Sequence, residues 1–324
     1  MKVLVTGGTS LLGAAVIDRL RARGDRVTTL QRNPGSSADS EVLGDVADAS
    51  AVAEAVADQQ AIIHLAAKVA ATGPWAEYER TNVIGTQVVL DAAQRAGAQR
   101  FVYVSSPSVA HGGEAIIGGR AEPANPDKTR GHYATSKAHA ERYALNASST
   151  ELPVVAIRPH LVWGPGDTQL VGRIVERACQ GRLAIVGSGC ALIDSTYVDN
   201  AADALVAAVD RVPDVAGEAF VVSNGQPRTV NELIARIVHA AGIAPPRARV
   251  PARFAFVGGL AVEQIWERTD RQDDPPMTSF LAEQLSTAHW FDQRRTREAL
   301  QWQPLVGLDA GFERLESWFR DRTA

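Results

Sequence analysis

Short β-branched and aliphatic runs alternate with amphipathic stretches over the first two-thirds of the chain. Strand patterns fall at 2–6, 26–30, 41–43, 61–65, 100–105, 154–158 and 218–223. Near-continuous apolar runs such as Ala61-Ile-Ile-His-Leu65 and Phe101-Val-Tyr-Val104 suit strands covered on both faces, as in a parallel sheet. Between them a helical period predicts helices over 11–23, 50–57, 75–96 and 132–146, the first ended by Gly24 and the third by Gly97. This alternation predicts an α/β fold with a parallel sheet under helices. After Pro159 the rhythm changes. Residues 168–180 read as a helix, Gly164-Pro-Gly166 and Gly187-Ser-Gly189 mark loops, and a helix over 198–209 leads back to the strand at 218–223. The remainder, 226–324, reads as helical. The expected division is one unit of 1–164 plus 191–225 and a smaller, mainly helical unit of 165–190 plus 226–324.

Composition narrows the function classes. The 324 residues are 45% hydrophobic and 22% charged, ordinary for a globular chain, with a net charge of −4. No lysine-rich run or basic stripe recommends nucleic acid as a partner. No 18-residue apolar run suggests a spanning helix. The chain opens on a strand pattern rather than a leader pattern, and Cys179 and Cys190 form no CxxC, so a reduced, cytoplasmic setting is expected. The seven histidines are scattered without ligand spacing, read as structural or solvated, and no metal is expected.

The first candidate chemistry sits where strand 2–6 meets helix 11–23, at Thr6-Gly7-Gly8-Thr9-Ser10-Leu11-Leu12-Gly13. Gly7 permits a tight turn, Gly13 permits close helix–strand packing, and the helix N-terminus offers free N–H groups to a pyrophosphate. The spacing TGxxGxxG asks for glycine where this chain has Ser10, whose Cβ narrows backbone approach while its hydroxyl offers a hydrogen bond. At the end of the second strand, Gln31-Arg32-Asn33 supplies no acid for a ribose 2′-OH and one guanidinium suited to a 2′-phosphate. Arg32 can equally be a solvated loop residue. Asp45 can accept from an adenine amino group or serve as an acid near a helix N-cap. NADP(H) is therefore the preferred cofactor, with NAD(H) the alternative.

The second candidate is Tyr133-Ala-Thr-Ser-Lys137. Residues four apart share one helix face, so a phenol and an ammonium project side by side. Two unit charges ~4 Å apart at an effective dielectric of ~20 interact by about 4 kcal/mol. That is roughly three pK units, enough to make a phenol an acid/base near neutrality. With 5 tyrosines and 4 lysines in 324 positions, chance supplies roughly 0.06 such pairs. The bland alternative is a surface i,i+4 pair.

With the glycine loop, Asp45, His64-Leu-Ala-Ala67, Asn82, Ser105-Ser106 and Tyr133-xxx-Lys137 in this order, the chain resembles the extended short-chain dehydrogenase/reductases of the NAD-dependent epimerase/dehydratase superfamily. The similarity runs essentially end to end, through Arg158-Pro-His-Leu-Val-Trp-Gly-Pro165 and Phe291-Asp-Gln-Arg-Arg295. Within that group the chain is most similar to the 3β-hydroxysteroid dehydrogenase branch and to bacterial 2-alkyl-3-oxoalkanoate reductases. The segments that carry this are Ala66-Ala-Lys-Val-Ala70, Asp194-Ser-Thr-Tyr-Val-Asp-Asn200 and 275–290. The resemblance implies a doubly wound parallel sheet (Rossmann) and a helical C-terminal substrate domain. It implies that Tyr133 exchanges a proton with the substrate oxygen, that Lys137 lowers the Tyr133 pKa and holds the nicotinamide ribose, and that Ser106 hydrogen-bonds the same oxygen. Ser106 is preferred to Ser105 because the family's serine lies three residues before the valine matching Val109. Cofactor contacts are implied at Gly7, Thr9, Ser10, Leu11, Leu12, Gly13, Gln31, Arg32, Asn33, Asp45, Val46, Leu65, Ala66, Ala67, Lys68, Asn82, Ser105, Pro159, His160 and Val162, besides Tyr133 and Lys137. Asn82 has the alternative of tying its helix to the neighbouring strand. Substrate contacts are implied at Ser106, Ser108, Tyr133, Trp163 and Tyr197. A homodimer through helices 75–96 and 132–146 is implied as well.

The implied activity is hydride transfer between a ketone and a secondary alcohol, of 3-oxo/3β-hydroxy type, on a lipid-like or steroid-like small molecule. Nucleotide-sugar enzymes of the superfamily place an arginine where this chain has Ala191-Leu-Ile-Asp194, which argues against a diphosphate substrate. A nucleotide-sugar epimerase, dehydratase or reductase is the alternative activity. A dinucleotide sensor without catalysis is a further alternative, against which stands the presence of both Tyr133 and Lys137. The apolar stretch 254–266 suits a wall or lid for an alkyl or sterol skeleton, or an ordinary core helix. With Glu263, Glu267, Arg268 and Asp270 nearby it has no basic face for a membrane surface.

Overall fold

The computed structural model describes residues 1–70, 72–269 and 275–323; Asp270 lies outside them. Seven strands form one parallel sheet: β1 (Lys2–Thr6), β2 (Arg26–Gln31), β3 (Ser40–Leu43), β4 (Ala61–His64), β5 (Arg100–Val104), β6 (Val154–Pro159) and β7 (Ala219–Val222). Their spatial order is β7-β6-β5-β4-β1-β2-β3. The order reverses beside β1, and such a switch point opens a crevice at the carboxyl ends of the strands.

Side-chain alternation on β1 shows how both faces are covered. Val3 and Val5 face one core with Val16, Ile17 and Leu20 of α1 (Leu11–Ala22), while Leu4 faces another with Val52 and Val56 of α2 (Ala49–Val56). The second core also takes Val89, Leu90, Ala140 and Ala144 from α3 (75–95) and α4 (Gly131–Asn146). The expected helix over 75–96 is not uniform. Glu79–Ile84 is a π-helical stretch between Trp75–Tyr78 and Gly85–Arg95, an irregularity frequent at functional sites.

Seven further α-helices follow among the described residues: α5 (Val171–Cys179), α6 (Val198–Arg211), α7 (Val230–Ala240), α8 (Ala252–Thr269), α9 (Ser279–Ser286), α10 (Arg294–Leu300) and α11 (Leu308–Thr323). The stretch beyond 226 is less purely helical than its pattern implies. His289–Phe291 joins Ile116–Gly119, Leu192–Ile193 and Arg228–Thr229 in a four-stranded sheet. Leu300 and Trp302 also enter the core beneath the large sheet, because α10 packs beside α6. Among the described residues, no helix is long and apolar enough to cross a membrane.

Candidate active site

The crevice at the switch point is a cleft of about 440 Å³. Its floor is the turn between β1 and α1. Gly7 has φ 76° and lies against Ala66, where an added Cβ would come within 3.1 Å of the Ala66 nitrogen. A Cβ on Gly13 would collide with the Gly7 carbonyl. Ser10 has a clear local role as the N-cap of α1: its hydroxyl accepts from Gly13 N at 3.0 Å and donates to Gly7 O at 2.9 Å. Such a cap contributes about 1 kcal/mol. The side chain that departs from the glycine pattern therefore rigidifies the turn.

At the far end of the cleft, Gln31 donates to Glu41 at 2.5 Å, while Arg32 and Asn33 are exposed along the rim. Glu41 also accepts from the backbone and hydroxyl of Ser36, which hold its carboxyl below the usual range. Asp45 pairs with Arg80 at 3.1 Å and accepts from Ala47 N, whereas Asp48 is the N-cap of α2.

A buried chain of hydrogen bonds supports the cleft from below. Ala66 N–H donates to Thr6 Oγ1 (3.0 Å), which meets His64 Nδ1 (2.8 Å). His64 Nε2 meets Thr86 Oγ1 (3.0 Å), which donates to Asn82 O (2.7 Å). Asn82 in turn brackets Lys68, accepting from its N–H and donating to its carbonyl, and donates to Ser136 Oγ on α4. Asn82 thus lies behind the wall formed by Leu65, Ala66 and Ala67 rather than on it.

At the opposite end Ser105, Ser106, Tyr133 and Lys137 line the cleft together. Ser106 is the N-cap of the 3-10 turn Pro107–Ala110, and its hydroxyl lies 3.0 Å from that of Ser108. The Lys137 ammonium, 2% exposed, donates to Val104 O at 2.6 Å and sits 4.2 Å from the Tyr103 ring centroid. Burial lowers Lys137 to about 7, opposed by the Glu141 carboxylate one turn further along α4. Burial raises the Tyr133 phenol above its ordinary value, and the Ser106 hydroxyl pulls the other way. The expected depression of Tyr133 by Lys137 is not what this geometry gives. Desolvation of the phenol sets the direction, and burial also makes the Lys137 ammonium easier to deprotonate. Beneath it, Arg158 and Glu141 form a two-point ion pair at 2.9 and 2.5 Å, both side chains 1% exposed.

Of the residues named from sequence, Gly7, Thr9, Ser10, Leu12, Gln31, Arg32, Asn33, Asp45, Val46, Leu65, Ala66, Ala67, Ser105, Ser106, Tyr133, Lys137, Pro159 and Val162 line this one cleft. Leu11, Gly13, Lys68, Asn82, Ser108 and His160 do not line it. Lys68 pairs with Glu77 at 2.7 Å, and His160 has its N–H on Val222 O and its carbonyl on Thr196. Trp163 and Tyr197 are not at the cleft: both are buried with Phe312 under α11, because Val162 and Trp163 point to opposite sides of one short strand. Leu30, Gly44, Val69, Thr81 and Val104 line the cleft but escaped sequence reasoning. Only Gly44 carries a signal, since it precedes Asp45 where a Cβ would strike Ala51.

A cluster at the Tyr133 end also escaped it. His160 Nε2 lies 2.8 Å from His289 Nδ1, His289 Nε2 lies 2.9 Å from Gln284 O, and the His111 ring packs 6.3 Å from His289. The three come from distant segments, so no spacing announces them. Burial lowers all three, His289 to about 4.

The cleft suits a dinucleotide on physical grounds. It combines a glycine turn too tight for side chains, a helix N-terminus, and a buried Ser105 hydroxyl with no partner among the described residues.

Comparison with known proteins agrees with this geometry. The model of the NAD dependent epimerase/dehydratase family matches residues 3–223. A 2-alkyl-3-oxoalkanoate reductase of Stenotrophomonas maltophilia is 38% identical over 98% of this chain and 99% of its own length. A 3 beta-hydroxysteroid dehydrogenase/Delta 5-->4-isomerase of Mycobacterium tuberculosis is 32% identical over 94% of this chain and 86% of its own. Among solved structures, MoeE5 in complex with UDP-glucose and NAD superposes with a TM-score of 0.76 at 26% identity, each chain covered in full.

Proposed function

Since the chain belongs to the NAD dependent epimerase/dehydratase family, within the extended short-chain dehydrogenase/reductases, we propose that it interconverts a ketone and a secondary alcohol on a lipid-like or steroid-like substrate, with NADP(H) preferred. The observation that carries this reading is the convergence of Ser106, Tyr133 and Lys137 at one end of a cleft whose other end is Arg32. The glycine turn and α1 N-terminus would hold the pyrophosphate, Arg32 a 2′-phosphate, and Lys137 the nicotinamide ribose. The dinucleotide supplies the hydride. Tyr133, its phenol raised by burial, keeps its proton at neutral pH and can donate it to the ketone oxygen. Ser106 meets the negative charge that grows on that oxygen, where a fixed donor has most effect.

Two observations support an apolar substrate. Relatives named for 3-oxoalkanoates and hydroxysteroids align nearly end to end. In addition α8 packs Ala255 and Phe256 against Ala282 of α9 and exposes Phe254, Val257, Leu260 and Ile265, so one face of the apolar stretch is core and the other faces outward. A UDP-sugar is the second reading, favoured by the likeness to MoeE5. Against it, residues 191–194 offer the buried Asp194 carboxylate and no cation.

The test is turnover on a panel of 2-alkyl-3-keto acids, 3-keto steroids and UDP-sugars, followed through NADPH absorbance, for wild type and Tyr133→Phe. The variant is expected to bind NADPH normally and lose at least ~100-fold in kcat; unchanged turnover refutes the role of Tyr133. The chain is also proposed to dimerise through α3 and α4, and sedimentation as a monomer at micromolar concentration would overturn that.

A further inference from the structure

The wall of the cleft beside Pro159 contains a strained turn. Leu161 has φ 41°, a left-handed conformation unfavourable for a branched aliphatic residue. It stands between Pro159 and Val162, which both line the cleft. Such strain persists only where the surroundings over-determine it. The surroundings here are specific. His160 N–H donates to Val222 O at 3.0 Å, Thr196 Oγ1 donates to His160 O at 2.6 Å, and Thr196 N–H donates to Leu161 O at 3.2 Å.

The Leu161 side chain packs with the cluster of Ile185, Ile193, Val230 and Ile234, and a further restraint is the histidine pair. Gln284 O can only accept, so His289 carries its proton on Nε2 and leaves Nδ1 as an acceptor. His160 Nε2 must then donate to it, giving the directed chain His160 to His289 to Gln284. His289 is 1% exposed and His160 6% exposed, so water does not substitute for either bond. The next residue back, Glu283, forms an ion pair with Arg130, immediately before α4, the helix that carries Tyr133 and Lys137. Consecutive residues of α9 therefore hold the two sides of the reactive end of the cleft.

We infer that His289 is a positioning residue: through His160 it holds the left-handed turn at Leu161, and through Gln284 it links that turn to the helix pair α8–α9, so that the cleft wall beside Tyr133 takes its shape only with that pair docked. It touches neither substrate nor dinucleotide and acts through His160. This deepens the proposed redox reading in its kinetic consequence only.

Two variants of the full chain test it. His289→Leu removes both polar atoms, whereas His289→Gln keeps one donor and one acceptor. Backbone hydrogen exchange at His160 and Thr196 is expected to accelerate about 10-fold or more in His289→Leu, as befits loss of support for a left-handed residue, and to stay within about 3-fold in His289→Gln. On the best ketone of the panel, kcat/KM should fall in parallel in His289→Leu and recover in His289→Gln. Adding Leu161→Gly, which adopts the turn without strain, should bring His289→Leu back towards wild type. Unchanged exchange in His289→Leu, equal defects in both variants, or no suppression by Leu161→Gly would each overturn the inference. If His289→Leu does not fold, the Leu161→Gly background supplies the comparison, because there the two His289 variants should behave alike; a persisting difference counts against it. The exchange measurement needs no turnover, so failure of the redox reading would appear in Tyr133→Phe and leave this result standing.

Discussion

Acidification should unfold this protein partly through one residue, His64. Its surroundings fix both ring nitrogens. Thr86 gives its proton to Asn82 O and therefore accepts from His64 Nε2–H; Nδ1 of the neutral ring is then an acceptor, so Thr6, whose oxygen also accepts from Ala66 N–H, donates to it. A proton added at Nδ1 would face the Thr6 hydroxyl proton. The ring is fully buried, with Lys137 contributing further repulsion, and its pKa falls from 6.5 to about 3. A histidine lowered in the folded state binds fewer protons there than in the unfolded chain between these values. Stability is thus undiminished above pH 6.5 and is lost as pH falls through the window towards 3. The full shift corresponds to roughly 5 kcal/mol, at about 1.4 kcal/mol per pH unit.

Urea unfolding of wild type and His64→Gln between about pH 8 and about pH 4.5 reads this directly. The variant begins about 1–3 kcal/mol less stable, since Thr6 and Thr86 lose well-placed partners. Below pH 6.5 the wild type should lose an additional ~1.4 kcal/mol per unit, so the two curves converge by roughly 3 kcal/mol at pH ~4.5. His160 and His289 titrate in both proteins and cancel in the comparison. Parallel curves over this range would refute the directed chain, because His64 would then take up its proton equally in both states.

Two other perturbations probe the ends of the cleft. Arg32 makes no ion pair or hydrogen bond among the described residues, so Arg32→Ala should weaken NADPH binding about 10-fold or more with NADH little changed, measured by fluorescence titration; equal effects on both dinucleotides would remove Arg32 from cofactor choice. Glu141→Gln leaves the buried Arg158 uncompensated and should cost about 3–5 kcal/mol in urea unfolding, while Glu141→Leu with Arg158→Met should recover most of it; a double variant as unstable as the single would show that packing, not charge, governs the site.

How far the molecule could be read from its sequence depended on the range of each interaction. The sheet strands were visible because burial on both faces writes itself into runs such as Phe101-Val-Tyr-Val104, and helix ends because Gly24 and Gly97 take positive φ. Tyr133 and Lys137 were visible because four residues on a helix fix their relation before any tertiary contact forms. The strand at His289–Phe291 was hidden, since three residues carry no period and its pairing with Ile116–Gly119 is set by partners far along the chain. Trp163 and Tyr197 were misassigned for a related reason. Motif position gives the strand but not which way a side chain leaves it, and the pleat sends Val162 to the cleft and Trp163 to Phe312. The histidine cluster lies at the other extreme, joining residues 129 apart in sequence.

The same distinction bears on the acidity of Tyr133. From spacing alone, a lysine four residues on is a nearby cation, and the phenol should ionise easily. Packing reverses the expectation because it dehydrates both groups: the phenol becomes a poorer acid and the ammonium a better one. What keeps Lys137 charged near neutrality is a third group on the same helix face, Glu141, whose carboxylate is itself held by Arg158. Positions 133, 137 and 141 recur every four residues along α4, so substrate oxygen, dinucleotide ribose and sheet would be connected by one row of side chains. Charge alternates down that row, ammonium, carboxylate and guanidinium, and each member lowers the cost of burying the next. Burial therefore leaves the phenol at the head of the row protonated at neutral pH.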